Sequence, residues 1–161
     1  MVTNSSLIER LREFDPKISK AEPCDDARQK GLWKVFDSGG NLTAYAFEAL
    51  APEAVGDASE LEDMDRYEVL GLVDPMDYRV LAIDISLAPG GSDRPWDPVL
   101  IQPEFENRYV GLSADEIKLS PEGKIDAVTD ATLSSRWITE AVHRKVKDVV
   151  EWASASQGSS R

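Results

Sequence analysis

Hydroxyls and small residues crowd into Asp126-Ala127-Val128-Thr129-Asp130-Ala131-Thr132-Leu133-Ser134-Ser135-Arg136, immediately before an amphipathic run. That pattern can hold a phosphate. A helix start presents amide groups without intrahelical partners and the positive end of the macrodipole, so an anion near Thr132 meets donors and a favourable field. The same residue types are also ordinary helix caps, and the local chemistry permits either role.

The helix that leaves this stretch is legible from its period. Ile138, Ala141, Val142, Val146, Val149, Val150 and Ala153 recur at spacings of three and four, with Glu140, Arg144, Lys147, Asp148 and Glu151 facing elsewhere. Two hairpins precede it. Gly39-Gly40-Asn41 is turn chemistry between strands near residues 31–37 and 42–50, and Asp74-Pro75-Met76-Asp77 serves a second pair that includes an aliphatic strand from Arg79 to Leu87. Ser6-Leu7-Ile8-Glu9 has capping-box spacing, and Leu7, Ile8, Leu11 and Phe14 share a helical face, so a short helix should end before Asp15-Pro16 and pack on the domain's edge. Residues 18–29 have no period. Pro103–Val110 reads as a short helix, Ser120-Pro121-Glu122-Gly123 as a turn, and Lys124–Val128 as a short strand feeding the motif. These elements predict an α+β fold, a twisted antiparallel sheet from two hairpins packed against a long C-terminal helix and shorter helices.

Other chemistries find less support. His143, the one histidine, falls inside the last helix beside Arg144 and Lys145 and reads as a surface residue. Cys24 is the one cysteine, so there is no internal disulfide and no cysteine metal cluster. Asp25-Asp26 beside it, and the carboxylates Glu60, Glu62, Asp63 and Asp65 in an acidic surface loop with a helical turn at 59–64, lack metal-loop spacing; no metal site is expected. No nucleophile elbow, Walker sequence, dinucleotide fingerprint or His-Glu-x-x-His is present. Thirty acidic residues against eighteen basic ones give a formal net charge of -12, which argues against nucleic acid and against a basic membrane-binding surface. The chain as written carries no signal peptide pattern and no apolar run long enough to span a bilayer.

The order Asp-Ala-Val-Thr-Asp-Ala-Thr-Leu-Ser-Ser, followed by an aliphatic helix, resembles the Asp-x-x-(Ser/Thr)-Gly-Ala-Thr-x-(Ser/Thr)-Ser signature of the FMN-binding domain in the C subunit of the sodium-translocating NADH:quinone reductase and the G subunit of the Rnf complex. Trp33–Phe47 resembles the first hairpin of that family and Leu70–Ile85 its second, while Glu104–Gly111 resembles a short Phe-containing helix ending in Gly; the resemblance spans about residues 30–150. It implies one FMN-binding-like domain over 1–153, with 1–29 as helix and lead-in; the Ser-Gln-Gly-Ser-Ser composition of 154–161 reads as a disordered tail. It also implies an electron-transfer flavoprotein rather than a stand-alone catalyst, with FMN joined through its phosphate to Thr132 by a flavin transferase that uses FAD. Thr129, Ser134 and Ser135 would offer hydroxyls to the phosphate, Ala131 completes the motif, and Asp126 belongs to the sequence the transferase reads. Redox partner subunits of a membrane complex, and an extracytoplasmic or membrane-associated location, follow from the same resemblance.

Two departures from the family pattern stand out. Asp130 occupies the motif's Gly position, placing a side chain and a negative charge beside the phosphate. Ser92-Asp93-Arg94-Pro95-Trp96-Asp97-Pro98 replaces a Glu-Thr-Pro-Gly-Leu-Gly-like loop, and Trp96 offers a flat face on which a flavin ring can rest. These departures are the basis for an alternative, a flavin-free binding or assembly module of the same fold; non-covalent FMN binding is a third reading.

Overall fold

The computed structural model describes residues 4–24, 31–52, 65–89 and 94–159. Five strands form one antiparallel meander in the order β1-β2-β3-β4-β5: β1 Ile18–Pro23, β2 Leu32–Asp37, β3 Leu42–Ala51, β4 Tyr67–Val73 and β5 Val80–Leu87. Helix α1 is Asn4–Phe14, α2 is the short Pro103–Glu106, and α3 runs from Thr132 to Ser159. The expected fold class is the observed one. The expected helical turn at 59–64, Asp25-Asp26, and Ser92-Asp93 of the loop that carries Trp96 lie outside the described residues, as does the acidic loop apart from Pro52, Asp65 and Arg66.

Both hairpins form where turn chemistry places them. Asp37 Oδ1 accepts from the amides of Gly39 and Asn41, each at 2.9 Å, and Gly40 takes a φ of 82° that a side chain resists. Asp74 Oδ1 accepts from Met76 N–H at 2.7 Å in the second turn. The hairpins join through β3 and β4, in register with Phe47 opposite Gly71. Gly71 is needed there, because a Cβ would lie 2.3 Å from the Phe47 ring.

Strand alternation sends side chains to two covered faces. Tyr45, Phe47 and Ala49 of β3, with Tyr67 and Val69 of β4, pack beneath α3 against Ile138, Ala141, Val142, Val146 and Val149. Ala44, Ala46, Leu70 and Leu72 point the other way and meet Leu7 and Leu11 of α1. The N-terminal helix therefore covers the sheet's second face rather than the domain's edge. Its burial also explains why β4 is almost wholly apolar, since neither face of the strand meets water.

Four local expectations are corrected. Residues 18–23 form β1, paired with β2 through a register irregularity near Ile18. Their exposed positions alternate irregularly, which hides the strand period in the sequence. Lys124–Val128 is not a strand: the region contributes one bridge, Leu119 with Ile125, because its polar groups bond to the loop before it. The helix at Pro103 stops after Glu106 and continues as turns to Gly111, whose φ is 85°. Finally, α3 continues to Ser159 through most of the stretch expected to be a disordered tail.

Candidate functional site

The mouth of α3 is built from within. Ala131 N–H donates to the Val128 carbonyl and Ser135 N–H to the Ala131 carbonyl, each at 2.9 Å, while Ser135 Oγ accepts from Val128 N–H at 3.0 Å. The Ser135 N–H is the first to follow the helical i→i−4 pattern, so the amides of Thr132, Leu133 and Ser134 lie in the turn that has no intrahelical acceptors. Thr132 is exposed at this mouth. Asp130, in the motif's Gly position, has a φ of 65°. That is the left-handed region which Gly adopts without cost and which Asp tolerates better than most residues. The substitution thus keeps the backbone turn, and the side chain is exposed.

Thr132 lies on the wall of a groove of about 630 Å³ between α3 and the segment 117–122. Arg136, Glu140, His143 and Lys147 continue from Thr132 along one stripe of the helix and line the same groove; Lys118 and Glu122 face them from the loop, with Arg144 also on its wall. Four Lys and Arg residues against two Glu make this a locally basic surface on a chain of net charge -12. Thr139 lies on its floor, where its hydroxyl bonds the buried Tyr109 hydroxyl at 2.8 Å. Burial pushes the Tyr109 phenol well above its ordinary value.

The loop wall is fixed by Glu116. One carboxylate oxygen accepts from Arg79 Nη1 at 2.9 Å and from Ser113 N–H at 3.1 Å, and the other pairs with Lys124 Nζ at 2.7 Å. The Lys124 bond, aided by the Ser113 amide and Arg79, holds the Glu116 carboxyl down to about 2. Gly123 lets the loop close, because a Cβ there would lie 2.3 Å from the Lys118 carbonyl. From the helix side, His143 Nδ1 sits 2.8 Å from the Ala114 carbonyl. A carbonyl can only accept, so Nδ1 carries the hydrogen of this bond.

Of the residues to which the resemblance gives a role at the flavin, only Thr132 lines the groove. Ser134 is 4% exposed and donates to Asp65 Oδ2 at 2.9 Å; Ser135 is fully buried in the turn described above. Both hydroxyls face inward, which corrects their expected place beside a phosphate. They are held there because they fall on the helix side that meets the core. Ala131 is buried, Thr129 and Asp126 are exposed on the approach, and the Asp126 carbonyl accepts from Arg108 Nη1. Trp96 does not line the groove. It is 70% exposed, and its Nε1–H donates to the Asp130 carbonyl at 2.7 Å, tying the Pro-Trp loop to the turn.

The residues missed in the sequence are Lys118, Arg136, His143 and Lys147. Their signal was available: positions 132, 136, 140, 143 and 147 recur at the same threes and fours as the core stripe, displaced around the helix. His143 is half-buried rather than a free surface residue. Among the described residues no group of His, Cys, Asp and Glu is arranged to hold a metal, and no helix is long and apolar enough to cross a membrane.

No family profile matches the chain. It is 24% identical over 161 residues to the G subunit of the ion-translocating oxidoreductase complex of Methanosarcina acetivorans, an alignment covering 94% of this chain and 73% of the relative. The crystal structure of Shewanella oneidensis NqrC superposes with a TM-score of 0.48 at 12% identity, over 85% of this chain and 73% of that one. The sequence relationship to the Methanosarcina protein supports the resemblance to the family of the Rnf complex G subunit and the sodium-translocating NADH:quinone reductase C subunit.

Proposed function

We propose that this chain is an electron-transfer subunit or domain that carries FMN in the groove beside Thr132, with the phosphate esterified to Thr132 Oγ1. One observation carries the reading: an exposed hydroxyl at a helix mouth opens onto a groove of about 630 Å³ walled by Lys118, Arg136 and Lys147. That volume falls within the roughly 300–1,000 Å³ of cavities that hold ligands of this size. The residues present therefore fit the group.

Each would have a distinct task. The amides of the first helical turn and the Arg136 guanidinium would meet the phosphate, the latter as a planar donor suited to its oxygens. Lys118 and Lys147 would offset charge further along the groove. The left-handed turn at Asp130 keeps the backbone beside Thr132 in the form that Gly would give, with the carboxylate in solvent. Ser134 and Ser135 support the turn instead of touching the ligand. FMN, when bound, supplies electron-transfer chemistry that no side chain of the groove provides.

The relative's name describes a subunit of an ion-translocating oxidoreductase complex. On that basis the partners of this chain are the redox subunits of a membrane complex, with a flavin transferase needed for maturation. In the esterification the threonyl oxygen takes the FMN phosphorus from FAD, the adenylate half leaves, and the hydroxyl proton is released. Co-expression with a flavin transferase, followed by intact mass and fluorescence under ultraviolet light, should show one FMN added and none in Thr132→Ala. Colour that washes out on denaturation would mean non-covalent FMN; no colour and no added mass would leave a flavin-free module.

A further inference from the structure

The Asp65 carboxyl group lies outside the groove and is used by none of the groups assigned to it. It is 9% exposed, just ahead of β4. Its Oδ2 accepts one hydrogen bond from the buried Tyr67 hydroxyl and a second, at 2.9 Å, from Ser134 Oγ. The Tyr67 oxygen in turn accepts from Trp96 N–H at 3.2 Å, and Trp96 Nε1–H donates to the Asp130 carbonyl at 2.7 Å. Four hydrogen bonds thus run from one side chain to the chain on both sides of Thr132, two residues before it and two residues after. Burial, then the Asp65 bond, pushes the Tyr67 phenol upward, so the ring stays a donor to the carboxyl group.

We infer that Asp65 and Tyr67 are positioning residues for Thr132: they fix the turn at Asp130 and the first helical turn at Ser134, and so set the direction in which the threonyl hydroxyl faces the groove. A buried carboxyl group without partners is unfavourable, and hydroxyls stripped of their acceptor are too, so the bonds form together or the region rearranges. The tie explains why the motif carries a hydroxyl at 134 that turns away from the groove. Its consequence for FMN rests on the proposed function, but the tie itself belongs to the chain without flavin.

The test uses the full chain, first labelled with 15N and free of flavin. Asp65→Ala and Tyr67→Phe should shift the Trp96 indole N–H signal and the amide signals of residues 130–134, and speed their hydrogen exchange by on the order of tenfold, the factor that follows from loss of one buried hydrogen bond. Leu7→Ala, a core change on the far face of the sheet, should lower the melting temperature and leave those signals in place. Trp96→Phe, at an exposed position, removes one link of the tie where the buried variants do not fold, and should shift the Asp130 and Thr132 amides. With a flavin transferase, Asp65→Ala, Tyr67→Phe and Ser134→Ala should lower the turnover of FMN transfer by about tenfold, leaving KM for FAD unchanged. Unmoved signals, or equal movement in Leu7→Ala, would overturn the inference. Signals that move as expected in a wild-type chain that accepts no FMN would uphold the tie and sink the flavin reading.

Discussion

Helix α3 has two faces with different work. Ile138, Ala141, Val142, Val146 and Val149 are buried against the sheet, while Thr132, Arg136, Glu140, His143 and Lys147 line the groove on another side of the same helix. From Thr132 to His143 the helix rises about 16 Å, at roughly 1.5 Å per residue. Over that length one face is specified by shape and exclusion of water, the other by charge and hydroxyl placement. Removing a side chain from the first should therefore cost stability, and removing one from the second should cost ligand.

The largest effect belongs to the apolar face. Ile138 is fully buried in the core cluster, and Ile138→Ala should destabilise the fold by about 2–5 kcal/mol through lost transfer energy and the cavity left behind. Urea unfolding measures it. The folded fraction of that variant should still accept FMN; a variant that stays folded but accepts none would break the division between the faces.

On the polar face, Arg136→Gln together with Lys147→Gln should change unfolding free energy by no more than about 0.5 kcal/mol, as solvent-side substitutions commonly do. FMN uptake should fall severalfold, and the remainder should weaken as salt is raised from low to physiological strength. Intact mass after timed transfer reads the first quantity and denaturant unfolding the second. Equal uptake at every salt concentration would remove the basic groove from the proposal.

The two faces also differ in how they could be read from sequence. Periodicity reveals the apolar stripe because every one of its residues is of a kind that avoids water. Gly39-Gly40-Asn41 and Asp74-Pro75 mark the hairpins by the same local logic, since each names a backbone conformation. Strand β1 was illegible because it lies at the sheet's edge, where exposed Ser19, Lys20 and Glu22 interrupt the pattern. Arg136, His143 and Lys147 were present in the sequence but look like any solvated helix side; what makes them a site is the 117–122 loop opposite, and its closure depends on Glu116 meeting Arg79 and Lys124 from distant positions. Thr132 lines the groove, yet the motif's order could not separate it from Ser134 and Ser135, whose inward turn depends on Asp65 and on the backbone of Val128.

That loop gives the comparison a pH dependence. The Glu116 carboxyl is held down from 4.5 to about 2, first by Lys124. A depressed carboxyl stabilises the fold fully above its unfolded value, and the contribution is lost as pH falls through the folded one. The loop wall should therefore loosen between about pH 4.5 and pH 2, seen as faster amide exchange at Lys124 and Ile125, whose N–H groups bond to Glu116 and Lys118 carbonyls, once the intrinsic acid dependence of exchange is divided out. Glu116→Gln should show the loosened wall at neutral pH and no further step on acidification. The apolar face carries no such group and should keep its protection across the same window.

The smallest effect distinguishes shape from charge at one residue. Asp130 sits at a φ of 65°, so Asp130→Gly should leave stability within about 0.5 kcal/mol: relief of the left-handed strain is offset by the greater freedom of Gly in the unfolded chain. Asp130→Ala keeps neither advantage, since Ala lacks both the freedom of Gly and the polar group that eases Asp into this region, and should cost about 1 kcal/mol. Timed FMN transfer then separates the two roles. If the carboxylate repels the incoming phosphate, both variants should accept FMN faster than the wild type at low salt, with the advantage fading as salt is added. If only the backbone turn matters, Asp130→Gly should match the wild type and Asp130→Ala should fall behind, which would make the aspartate a substitute for glycine in conformation and a bystander in charge.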